Sequence, residues 1–133
     1  MDGWDGTKEY LFPMSVNRLE RSSIFLRSHR EIQVVKHEGR RISTVFFNLL
    51  AHKMDEAPSR VGIIVGKRFG NAVRRNRVKR VFRELVRYSY PELVPGRGIL
   101  VFPKRDALVQ SREALVQAWR SSLSRMHLLR PNT

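Results

Sequence analysis

The sequence predicts an α/β sandwich, in which one small mixed sheet carries three helices. Apolar residues recur at helical spacing in three stretches, and β-branched and aromatic residues form strand-like runs in three others. Helical and strand-like stretches alternate along the chain, in the order α-β-β-α-β-α, which favours helices packed on one sheet over separate helical and β domains. A chain of 133 residues has room for one domain, and its 41% hydrophobic content supports a modest core. Residues 1–24 show weak periodicity and mixed charge and read as a flexible N-terminal arm. Residues 25–130 form the domain.

The first helix is signalled by Ser28-His29-Arg30-Glu31, which has the form of a capping box. Ile32 and Val35 follow on one face, and Gly39 is a natural stop, giving a helix over about Arg30 to Glu38. Ile42 to Met54 reads as a strand with a bend. An extra short strand can be placed near Arg40 to Ser43. Period-two alternation groups Val45, Phe47 and Leu49 on one face and Phe46, Asn48 and Leu50 on the other. Asp55 to Ser59 is a turn. Arg60 to Arg68 is the next strand, where Gly62 and Gly66 leave one face bare beside Ile64. Val73 to Tyr90 is the strongest helix, ended by Pro91. Ile99 to Phe102 is the last strand. Ser111 caps a final helix with Leu115, Trp119 and Leu123 on its apolar stripe, and the tail frays from about Leu128. The strand–helix–strand unit from Arg60 to Phe102 places two strands in parallel.

Charge then narrows the function. Twenty-six Lys and Arg oppose twelve Asp and Glu, for a net charge of +14. Such a field attracts polyanions, either nucleic acid or an anionic membrane. Twenty of the 26 cations are arginine, whose planar fork grips phosphate and stacks on bases, and this favours nucleic acid. Composition does not separate RNA from DNA. The absence of cysteine removes disulfides and thiolate chemistry and fits a reducing cytoplasm. No apolar run approaches the roughly 20 residues of a membrane span, and the N-terminus lacks the pattern of a secretory signal. His29, His37, His52 and His127 are scattered without metal-ligand spacing, and no Walker-type loop is present.

The cations concentrate in one place. Residues 67–83 hold eight Lys and Arg and no acid. On a helical wheel Val78, Val81, Phe82 and Leu85 gather on one side, while Asn76, Arg77, Lys79, Arg80, Arg83 and Arg87 sweep the opposite arc. Like charges at i,i+4, as in Arg75/Lys79 and Lys79/Arg83, each cost an isolated helix roughly 0.2–0.5 kcal/mol. A phosphate backbone reverses the sign of that cost and makes binding steeply salt-dependent. Gly70-Asn71-Ala72 reads equally as a plain loop or as a site where backbone amides meet a phosphate.

The run from Lys67 through Arg75-Asn76-Arg77 to Glu84, with Gly62 ahead of it, resembles the arginine–asparagine–arginine signature of the bacterial ribonuclease P protein subunit. The resemblance extends from about Leu26 to Arg125. It implies a non-catalytic protein that pairs with a large catalytic RNA, which uses bound Mg2+ to remove the 5′ leader of precursor tRNA. It also implies a left-handed β-α-β crossover, where ordinary chirality gives a right-handed one. By position, Lys67, Arg68, Arg75, Asn76, Arg77, Lys79, Arg80 and Arg83 would bind the catalytic RNA. Ile32, Lys36, Phe46, Asn48, Leu50 and Ile64 would line a cleft for the single-stranded leader, with Gly62 and Gly66 in its floor. The protein would hold no metal of its own and need no membrane or protein oligomer. Family members often carry aromatics where Ile32, Lys36 and Leu50 stand, so the cleft departs from the pattern. Ile32 and Leu50 are equally readable as core. Two other readings are a ribosomal or assembly protein that coats RNA and a DNA-binding module. The strands flanking the basic helix count against the DNA-binding module.

Overall fold

The computed structural model describes residues 24–26, 28–54 and 58–131. The N-terminal arm, apart from Ile24, and most of the Asp55–Ser59 turn lie outside the described residues. Helix α1 (His29–Glu38) begins at Ser28, whose Oγ accepts from the Glu31 amide at 3.3 Å. The reciprocal half of the capping box is replaced by a tertiary contact. The Glu31 carboxylate accepts from Arg60 Nη2 at 2.8 Å, tying the helix to the sheet. Gly39 ends α1 in extended rather than left-handed backbone (φ −74°). What excludes a side chain there is space, since a Cβ would stand 2.5 Å from the Val35 carbonyl oxygen.

Strands β1 (Arg40–Ser43) and β2 (Phe47–Lys53) form a hairpin, so the expected extra strand exists. Thr44 shapes the bend between them, its Oγ1 accepting from the amides of Phe46 and Phe47 at 3.1 and 3.0 Å. Strand β3 (Arg60–Ile63) is shorter than the predicted Arg60–Arg68, because the chain leaves the ladder and closes a 3-10 turn over Lys67–Phe69. Helix α2 (Ala72–Ser89) follows and leads into β4 (Arg97–Pro103). A one-turn helix, α3 (Asp106–Val109), escaped the sequence reading because four residues carry no periodic signal. Helix α4 (Arg112–Arg125) is capped by Ser111 as expected.

The sheet order is β1-β2-β4-β3, with β4 antiparallel to β2 and parallel to β3. The structure is therefore a mixed α+β fold on one four-stranded sheet. Register decides which residues share a face. Leu50, Leu100 and Gly62 lie side by side across three strands, as do Leu49, Val101 and Ile63 one residue along, and alternation sends the two rows to opposite faces. The Leu49 row joins the main core with α2 and α4. There Phe47, Phe82 and Trp119 meet edge to face, with ring centroids 5.6–6.3 Å apart. The Leu50 row joins a smaller cluster under α1, built on Leu26, Val35 and Leu100. Each face of the sheet thus has its own helix layer.

The ends of the domain are docked. Leu26 donates its amide to the Val61 carbonyl at 2.9 Å, covering the outer edge of β3. The expected fraying at Leu128 does not occur. Leu128 is buried, Val94 donates to its carbonyl at 2.8 Å, and Arg130 donates to the Glu92 carbonyl at 2.6 Å. No described helix is long and apolar enough to cross a membrane.

Candidate nucleic-acid interface

The predicted cationic face is built on α2. Asn71 caps the helix, its Oδ1 accepting from the Arg74 amide at 2.9 Å. Val78, Phe82 and Leu85 are fully buried, which fixes the helix roll. With that roll Arg74, Asn76, Arg77, Arg80 and Arg83 are exposed, as are Lys67 and Arg68 on the preceding turn, while Lys79 is half-buried. Asn76, Arg77, Arg80 and Arg83 follow the wheel, whereas Arg74, outside its polar arc, is exposed on the first turn of the helix.

Two arginines behave differently from their neighbours. Arg75 is half-buried and donates Nη1 to the Gly70 carbonyl at 2.6 Å. It braces the loop that launches the helix, and Gly70 there has φ 155°, a conformation that residues with a Cβ rarely adopt. Arg87 leaves the predicted arc, because its guanidinium lies 5.6 Å from the centre of the Phe25 ring and 3.7 Å from the Glu84 carboxylate. One cation that the sequence did not assign joins the surface. Arg105, just before α3, donates Nη2 to the Arg68 carbonyl at 2.9 Å. The two residues are 37 positions apart, so no local pattern could have linked them.

On the opposite face of the sheet, Ile32, Leu50 and Ile64 come together around Leu26, Val35 and Leu100. Lys36 is exposed one helical turn beyond Ile32. Asn48 accepts from Ser43 Oγ at 2.6 Å, so its side chain is held by the hairpin. Phe46 does not join this group. It lies in the bend before β2, where strand parity no longer applies, and it packs on the main core instead. Its place as the aromatic of this face is taken by Phe102 of β4, which is paired with Asn48 and half-buried against the α1 cluster. Phe102 stands in a run of apolar residues whose burial pattern does not alternate, and only the register shows which way it faces. Gly62 is covered by the chain itself, since a Cβ there would stand 2.7 Å from Leu100 Cδ2. A Cβ at Gly66 would meet nothing within 4 Å. Lys104 caps the end of this surface, donating Nζ to the Thr44 carbonyl at 2.7 Å and to Ser43 Oγ at 3.2 Å.

Among the described residues no three His, Asp or Glu side chains converge. Glu31 and Glu92 are engaged by Arg60 and Arg120, and Glu84 lies against Arg87. These residues do not fit a dedicated Mg2+ cage, which needs clustered oxygen ligands.

The family described as Ribonuclease P matches residues 21–127, most of the chain. The chain belongs to the ribonuclease P protein family. Its relatives include the ribonuclease P protein component of a Roseiflexus species (strain RS-1), 36% identical over 115 residues that cover 76% of this chain and 94% of the relative. The component from Finegoldia magna is 37% identical over 84 residues, covering 63% of this chain and 74% of the relative. Among solved structures, the ribonuclease P protein of Thermotoga maritima superposes with a TM-score of 0.68 at 28% identity, over 76% of this chain and 96% of that one. A mutant of the Staphylococcus aureus protein shares the fold, with a TM-score of 0.77 at 20% identity, over 89% of this chain and all of that one. A ribonuclease P protein component is part of a tRNA-processing ribonuclease and works with an RNA partner in a ribonucleoprotein. The cationic face of α2 is chemically suited to such a partner.

Proposed function

We propose that the chain is the non-catalytic subunit of ribonuclease P, acting in the cytoplasm through two surfaces on opposite faces of one sheet. Lys67, Arg68, Arg75, Asn76, Arg77, Lys79, Arg80 and Arg83 bind the catalytic RNA. Ile32, Lys36, Asn48, Leu50 and Ile64, with Phe102 in place of Phe46, receive the single-stranded leader of precursor tRNA. Base stacking on Phe102 supplies the contact that the usual cleft aromatics would make, and Lys36 meets a phosphate. Mg2+ belongs to the RNA, which carries out the cleavage. The protein aids it by neutralising phosphates that would otherwise repel. No second protein copy is needed.

The observation that carries this function is the one-sided cationic face of α2, anchored by buried Val78, Phe82 and Leu85. A merely solvated helix face normally mixes charge signs. Reconstitution tests it. The purified chain alone leaves precursor tRNA intact, but lowers the Mg2+ needed for cleavage by a bacterial ribonuclease P RNA. Absence of stimulation at low Mg2+ would favour a general RNA-coating role.

A further inference from the structure

Arg74 and Arg77 do more than extend the cationic face. Both line a recess of about 330 Å³ between the start of α2 and the one-turn helix α3. Arg105 lines it from the β4–α3 connection, with its orientation set by the hydrogen bond to the Arg68 carbonyl at 2.9 Å. Asp106 is the single acid in the lining. Phe69 and Val109 contribute apolar surface. Phe69 is part of the core and only 8% exposed, whereas Val109 is 74% exposed, an apolar side chain held in water. The recess therefore combines three guanidinium groups with an apolar wall, and its volume is within the range of small-ligand sites.

We propose that this recess holds one unstacked nucleotide of the catalytic RNA, with its base against Phe69 and Val109 and its phosphate or base edge on the arginines. The inference rests on the RNA-binding role of α2. A duplex backbone is convex and cannot enter a recess, whereas splayed-out bases of loops and bulges stack on apolar and guanidinium surfaces. The catalytic RNA is favoured over precursor tRNA because Arg77 belongs to the cationic face of α2 and Arg74 stands on the first turn of the same helix. The leader cleft lies across the sheet, under α1. The Arg105 fork matters more than its charge, since a planar guanidinium can stack and donate in pairs where an ammonium cannot.

The test uses the full chain carrying photoreactive benzoylphenylalanine in place of Val109, mixed with ribonuclease P RNA and, separately, with precursor tRNA. One or two adjacent unpaired nucleotides of the catalytic RNA should crosslink. Scattered crosslinks, crosslinks only to precursor tRNA, or none from a variant that still binds with wild-type Kd would overturn the proposal. Arg105→Ala and Arg105→Lys should both weaken catalytic-RNA binding about five- to tenfold, the lower range of base stacking. Wild-type binding by Arg105→Lys would reduce the site to plain charge and overturn it. If the unaltered chain binds this RNA no better than a structureless polyanion, the RNA-binding role of α2 fails as well.

Discussion

Arg75 reaches back from the first turn of α2 and donates to the carbonyl of Gly70 at 2.6 Å. A residue of the arginine–asparagine–arginine signature therefore has a structural duty that its neighbour Arg77, fully on the exposed side, does not share. Arg75→Ala should lower stability by about 1 kcal/mol, the net worth of such a bond. Arg77→Ala should change it by less than about 0.5 kcal/mol, as surface substitutions do. Both should weaken RNA binding. Thermal unfolding of the two variants separates the roles, and equal Tm values would show that the brace contributes nothing.

The exchange of Phe46 for Phe102 in the cleft gives a paired prediction. Phe102→Ala should weaken binding of a leader-bearing precursor tRNA by about 1–3 kcal/mol, the worth of one stacked base, with less effect on a leaderless substrate. Phe46→Ala should mainly cost stability, since that ring packs on the main core. The reverse pattern in leader affinity would return Phe46 to the cleft.

The core contains a polar link that can be tested by itself. Trp119 Nε1 donates to Ser89 Oγ at 3.0 Å in a fully buried setting, and Ser89 Oγ in turn donates to the Leu85 carbonyl at 2.9 Å. Ser89→Ala strands a buried indole N–H and should destabilise by about 1–3 kcal/mol. Trp119→Ala should cost about 3–5 kcal/mol. Denaturant unfolding midpoints at unchanged slope measure both.

Glu92 gives a pH-dependent signature. Its two carboxylate oxygens accept from Arg120 at 2.8 and 2.9 Å, and that hydrogen bonding holds its pKa below the ordinary value of 4.5. A depressed carboxylate stabilises the fold above pH 4.5 and loses that contribution as pH falls through its folded pKa. The pair is largely exposed, so its worth is a few tenths of a kcal/mol. Glu92→Gln should therefore unfold slightly earlier than wild type at pH 7 and together with it near pH 2. A gap that persists at low pH would assign the effect to packing.

Local signals carried most of the fold. Ser28 and Ser111 cap helices as expected, and the buried stripe of α2 follows its wheel, whereas Asn71, read as part of a loop, caps α2. The features that were not legible depend on distant partners. The Arg105–Arg68 bond spans 37 positions, the facing of Phe102 depends on its register with Asn48, and the tail is held by Glu92 and Val94. Phe46 misled because a strand parity extended across the Thr44 bend no longer reports a face. The cationic surface was visible early, because charge must stay at the surface whatever the tertiary details.

In the proposed function the exposed arginines of α2 bind RNA by neutralising phosphates. The most direct measurement is the salt dependence of binding to ribonuclease P RNA for wild type and for the triple variant Arg77→Ala, Arg80→Ala, Arg83→Ala. The slope of log K against log salt should become shallower by roughly 2–3 for the triple variant. An unchanged slope would show that these arginines neutralise no phosphates.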